Sequence, residues 1–297
     1  MFSIRGAGSN PTRASKFSAL FSIGRFEGYT GAAHQFTAMT VDPPPNLHVV
    51  SLEYALQPDE RFTYENPPSV KFETKEARFH LADGILKCEM KEHFADAGAA
   101  QKVVDPILRA WEVDADLRHN RGELRFKYKT AEVIDLSPAP PGSVKVTVVG
   151  NAVLTVTGTL STHVTRGTYP EPPPDHFRLN PDAESILRRY EGYLDGREPL
   201  PAMAYFCLTV LEGKAGGRGK ATAMYRIHKD VLRKIGDLST NRGDLLNARK
   251  ANATQQPLSG AESAWLEEAM KTLVRRLGDT RNPVSLPEIP MKDLPKL

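Results

Sequence analysis

TYPEPPPD, residues 168–175, divides the chain into two patterns. Its four prolines fix φ and remove backbone donors, so neither a helix nor a central strand runs through it. Before it, apolar residues alternate; after it, they recur every three or four positions. The segment reads as a Pro-rich linker over 166–178. The change of period across it predicts an α+β fold: a β-rich layered domain at 47–165 with one or two helices, then an all-α helical domain at 179–280. Residues 281–297 read as an extended tail.

In the first half, LHVVSLEYAL (47–56) is rich in strand formers. ARFHL and ILKCEM flank Ala82-Asp83-Gly84, and an Asp-Gly pair between alternating runs predicts a hairpin turn with positive φ at both central residues. Residues 95–104 are Ala-rich, and Asp105 with Pro106 reads as the cap and first residue of a following helix. Val104, Leu108, Trp111 and Ala115 then share one face. Leu124, Phe126 and Tyr128 alternate with Arg125, Lys127 and Lys129, a strand with a basic outer face. Gly150-Asn151 predicts a second hairpin.

In the second half, Asn180-Pro181-Asp182 reads as a cap, a proline at the first helical position and an acid in the first turn. PAMAYFCLTVLEG (201–213) is apolar on nearly every side, which predicts a central buried helix. Met224, Ile227, Val231 and Ile235 read as the stripe of one continuous helix. Ser259 and Glu262 form a capping-box signature before Leu266, Ala269, Leu273 and Leu277.

Composition bounds the function classes. Apolar residues at 40% and charged residues at 25% describe an ordinary globular chain. No apolar run reaches the roughly 18 residues that span a bilayer. Two isolated cysteines, Cys88 and Cys207, argue against a disulfide framework and for a reducing, cytoplasmic setting. Residues 1–38 hold four basic residues against Glu27 alone and read as a disordered or presequence-like leader.

The net charge of +3 is unevenly spread. Residues 39–180 hold 16 basic and 20 acidic residues, whereas 213–250 hold ten basic residues against Asp230, Asp237 and Asp244. GKAGGRGKAT (213–222) opens this basic interval and resembles a phosphate loop superficially. The spacing rejects it: Lys214 stands where the first glycine belongs, and Ala221 where the magnesium-binding hydroxyl belongs. It reads instead as a basic helix–helix connection. Arg242-Gly243-Asp244 reads as a chance tripeptide. Cys88 and His93 fall on opposite faces of an extended strand, which weakens them as a nucleophile or metal pair. His228 reads as lying on the apolar side of its helix, and Asp114 and Asp116 as helix-surface acids. No residue set predicts a cofactor or a metal.

The order of features from 181 to 280 resembles HEPN-like helical domains. The features are the apolar helix ending at Leu211-Glu212, a basic loop, the segment from Arg226 to Lys234, LLNARKANA (245–253) and a capped final helix. Many members of that family are ribonucleases with an arginine followed, four to six residues on, by histidine. Here Arg249 has no histidine within that reach, so the resemblance implies a non-catalytic member.

These readings converge on a non-catalytic binding or accessory protein. It would dock an acidic protein or a nucleic acid through Lys214, Arg218, Lys220, Arg226, Lys229, Arg233 and Lys234, with homo-oligomerisation a third use of the same face. The competing expectation is a hydrolase or nuclease with an inter-domain site built on His228 or His93.

Overall fold

The computed structural model describes residues 45–137, 164–242 and 256–297. The leader at 1–38, the turn at Gly150-Asn151 and the segment LLNARKANA lie outside them. The fold is α+β. The strands are β1 (Leu47–Leu56), β2 (Phe62–Tyr64), β3 (Val70–Glu73), β4 (Ala77–Ala82), β5 (Ile85–Met90), β6 (Phe126–Asp135) and β7 (Val164–Arg166). The helices are α1 (Ala97–Arg118), α2 (Pro181–Leu194), α3 (Leu200–Ala215), α4 (Arg218–Tyr225), α5 (Lys229–Asn241) and α6 (Gly260–Gly278). Five strands form an antiparallel sheet in the order β3-β4-β5-β1-β6, while β2 and β7 pair in parallel.

The β4–β5 hairpin forms as its dipeptide requires. Asp83 and Gly84 have φ of 50° and 72°, and Ala82 pairs with Ile85. The alternation of β4 then turns Ala77, Phe79 and Leu81 into the core and Arg78 and His80 outward.

The first helix differs from its expected start. Asp96, not Asp105, is the cap: its side chain accepts from the Ala99 N–H at 2.8 Å. The Ala-rich turns propagate from there through Pro106, which sits inside the helix and forgoes one backbone bond. Asp105 serves the sheet instead, accepting the buried Tyr54 hydroxyl at 2.7 Å. Val104, Leu108, Trp111 and Ala115 pack on the sheet, as their spacing predicts. Ala110, Val113 and Leu117 enter a second core with α2–α6. One helix thus supplies both cores of the compact unit Pro44–Leu297.

The Pro-rich segment is docked on that helix and sheet. Trp111 Nε1 donates to the Pro170 carbonyl at 3.2 Å, and the Gly84 N–H donates to the buried Tyr169 hydroxyl at 3.0 Å. Beyond it Asn180 caps α2, accepting from the Ala183 N–H at 2.9 Å. The apolar α3 lies at the centre, touching α2, α4, α5 and α6.

The expected helix through Met224 and Ile235 is two helices. Arg226 adopts a left-handed φ of 51°, ending α4, and His228 caps α5. Distant groups bond this joint. Arg276 of α6 is buried and donates to the Tyr225 carbonyl at 2.8 Å and the Pro287 carbonyl at 2.8 Å, with Arg226 O at 3.4 Å. The tail, expected to be merely extended, closes on this joint. Its Ile289 bridges Ile227 in parallel, and it makes two 3-10 turns, Pro283–Ser285 and Met291–Asp293. Leu286, Ile289 and Leu294 are buried.

Candidate functional site: a basic helical elbow

The seven expected contact residues occupy the end of α3, all of α4, the bend and the start of α5. Gly216 (φ 75°) and Gly217 (φ 120°) make the turn between α3 and α4. The helix α3 precedes that turn where a phosphate loop needs a strand, and Arg218 and Lys220 are helical, not part of a flexible connection.

Three of the seven are engaged internally. Lys214 pairs with Asp182 at 2.6 Å, and this carboxylate holds its ammonium above the ordinary lysine value. Arg218 pairs with Glu212 of α3 at 2.5 Å and lies so near Gly236 of α5 that a Cβ there would stand 3.1 Å from its guanidinium. Arg218 therefore ties three helices together. Arg233 pairs with Asp230 at 3.1 Å. Among the described residues, Lys220, Arg226, Lys229 and Lys234 form no ion pair. Lys220, Arg226 and Lys229 are exposed and Lys234 is half-buried.

An apolar component accompanies these cations. Met224 lies four residues after Lys220, on the same side of α4, and is 44% exposed. Val284, in the 3-10 turn that packs against α4, is 89% exposed. Met224 was expected in a buried stripe; the bend at Arg226 rotates it out to solvent. The groups that bond the bend, Arg276 and the tail at Ile289, lie 50 or more positions from Arg226, so no local signal marks it.

The two histidines of the competing expectation, His228 and His93, lie in separate local settings, His228 beside the Asp230 carboxylate at 3.4 Å. His228 is the cap of α5, its Nδ1 accepting from the Asp230 N–H at 3.3 Å, and does not pack on an apolar helix face. His93 follows β5 and stacks on His48 with ring centroids 5.1 Å apart. Neither lines any of four open cavities of about 250, 320, 450 and 530 Å³. Cys88 and Cys207 are buried, and burial pushes both thiols well above their ordinary value. No group of three or more His, Cys, Asp or Glu among the described residues is arranged to hold a metal ion.

Of the acids expected on the helix surface, Asp114 is buried and Asp116 is half-buried, its side chain covered by its partner. Asp114 pairs with Arg118, and Asp116 with Arg125 at 2.6 Å while accepting the Gly122 N–H at 3.0 Å. Glu123 is buried against Arg166. Each carboxylate has its own arginine, which marks a structural network: buried charge persists where it is paired. Arg125 accordingly leaves the expected basic face of β6, and Tyr128 turns outward at a register shift between Glu53 and Tyr54. Of the Arg242-Gly243-Asp244 tripeptide, Arg242 is tied to Glu262 at 2.9 Å, and its other two residues lie outside the described segments.

Comparisons with protein-family models, with curated proteins and with solved structures find no match to this chain. No helix among the described residues is long and apolar enough to cross a membrane.

Proposed function

We propose that this chain is a non-catalytic accessory protein that docks an acidic protein surface through the α4–α5 elbow. The observation that carries the reading is the juxtaposition of exposed Met224 and Val284 with Lys220, Arg226, Lys229 and Lys234, cations that no acid of the described residues neutralises. Methionine and arginine are enriched at protein interfaces, and an apolar anchor rimmed by charge fits a partner presenting acids around a hydrophobic side chain. Nucleic acid is the weaker reading of the same cations. Tyr225 is the one aromatic residue of the elbow and is half-buried, which leaves no stacking platform for bases. The non-catalytic assignment rests on the histidines being a helix cap and a surface stack. The HEPN-like resemblance of 181–280, drawn from the order of sequence features, is part of the same reading, and the burial of two free thiols fits a cytoplasmic setting.

The test is selection from a displayed library of acidic peptides with and without a central leucine, beside fluorescent single-stranded RNA and duplex DNA. Wild type is expected to enrich the leucine-bearing acidic peptides. Lys220→Glu/Arg226→Glu/Lys229→Glu should abolish the enrichment, and Met224→Ser should weaken it. Retention of RNA or DNA at physiological salt, with no peptide enriched, overturns the reading.

A further inference from the structure

We propose that the outer face of the sheet is a binding site for a small organic phosphate, held across Lys71, His80 and Lys87. The site is remote in sequence from the elbow and does not depend on its function. Register puts these three side chains in one row over three strands: Lys71 of β3 opposite His80 of β4, and His80 opposite Lys87 of β5. The helix α1 covers the other face, where Phe72 meets Trp111 edge-on with centroids 5.1 Å apart. A cavity of about 450 Å³ opens over the row, bounded by Lys71, Glu73, Arg78, His80, Lys87 and Glu89. That volume lies within the roughly 300–1,000 Å³ of small-molecule sites.

Ion pairing within the row is sparse. Lys71 and His80 form no ion pair among the described residues, and Lys87 reaches Glu132 only at 4.0 Å. Glu53, opposite Lys87, turns instead to Lys129 at 3.8 Å. Strands are spaced about 4.8 Å apart, so Lys71 and Lys87 stand about 10 Å apart, a separation that long ammonium arms close around one phosphate.

The neighbouring row gives the organic part its contacts. Glu73, Arg78 and Glu89 are opposite one another on the same three strands. Glu73 is occupied, pairing with Lys91 at 3.1 Å and Arg78 at 3.5 Å. Glu89 forms no ion pair among the described residues and is exposed beside the cavity. A carboxylate there accepts hydroxyls, which a sugar phosphate carries. A lysine on an edge strand also deters edge-to-edge pairing, but that role asks nothing of His80 and Lys87 in the interior strands.

Ribose 5-phosphate is the probe, with ribose and inorganic phosphate as comparators, read by thermal shift and calorimetry on the full chain. Ribose 5-phosphate is expected to raise Tm and ribose to leave it unchanged. Lys71→Gln/Lys87→Gln should lose the shift, with affinity down about tenfold per lysine. Without ligand the same double variant should keep cooperative unfolding, because neither lysine side chain lies in the core. Glu89→Gln should weaken ribose 5-phosphate and leave inorganic phosphate alone. No shift with ribose 5-phosphate, an equal shift with inorganic phosphate, or a shift that survives in the double lysine variant overturns the proposal.

Discussion

Replacing Arg276 with methionine should release the elbow. The guanidinium holds two carbonyls at 2.8 Å, one ending α4 and one in the returning tail. A hydrogen bond from a charged donor contributes about 1.5–3 kcal/mol, and orphaned buried carbonyls add to the loss. Methionine fills much of the space and recovers part of the guanidinium's desolvation, which acts in the opposite direction. The net expected cost is about 3 kcal/mol. In a chain of this size each kcal/mol shifts Tm by about 2–4 °C, so thermal denaturation should begin about 6–12 °C lower. Limited proteolysis should cut the tail near Pro283–Ser285 sooner. Arg276→Lys, which retains the charge with a point donor, should recover part of both effects. A methionine variant melting within about 1 °C of wild type, with its tail still protected, would refute the clamp.

The two tryptophans should respond differently to phenylalanine. Trp111→Phe loses the bond to the Pro170 carbonyl, whereas Trp265 buries an Nε1 with no partner among the described residues, so Trp265→Phe should cost less by about 1 kcal/mol in chemical denaturation. Gly278→Ala should cost about 1–3 kcal/mol, because its Cβ would stand 2.5 Å from the Phe177 ring and 3.1 Å from the Arg178 carbonyl; an unchanged denaturation midpoint contradicts this. Acidification should destabilise the fold. Arg61 holds the Asp59 carboxyl below its ordinary range, Arg121 does so for Asp195, and the Ser259 N–H for Glu262. Depressed folded values mean the unfolded chain takes up protons first, so this stability is complete above about pH 5.5, well over the unfolded values, and is lost as pH falls through the folded ones. Glu112, raised by burial, opposes the trend. Melting at stepped pH checks it, and a flat profile between about pH 5 and 2 contradicts it.

Features specified within a few residues were legible in the sequence. Asp83-Gly84 needs no distant partner to turn, and Asn180 and Ser259 cap the helices that follow them. The apolar wheel of α3 likewise announces its central place. Features imposed from afar were not legible. Pro106 signals a helix start, but the cap at Asp96 and the packing of α1 between two cores carry the helix through it. Asp114 and Asp116 look like surface acids until Arg118 and Arg125 fold over them. The elbow was legible as charge and not as shape. Its cations lie in one interval, but its bend and the exposure of Met224 depend on Arg276 and the tail. Net charge also hid which cations are free, since Lys214, Arg218 and Arg233 are consumed by neighbouring acids.

Hydrogen exchange on the full chain, with and without an acidic leucine-bearing peptide retained from the library, tests the docking surface most directly. New protection is expected to be confined to α4, the bend at Arg226–His228, the first turns of α5 and the turn Pro283–Ser285. Protection elsewhere, with the amides of 218–235 unchanged, would contradict it.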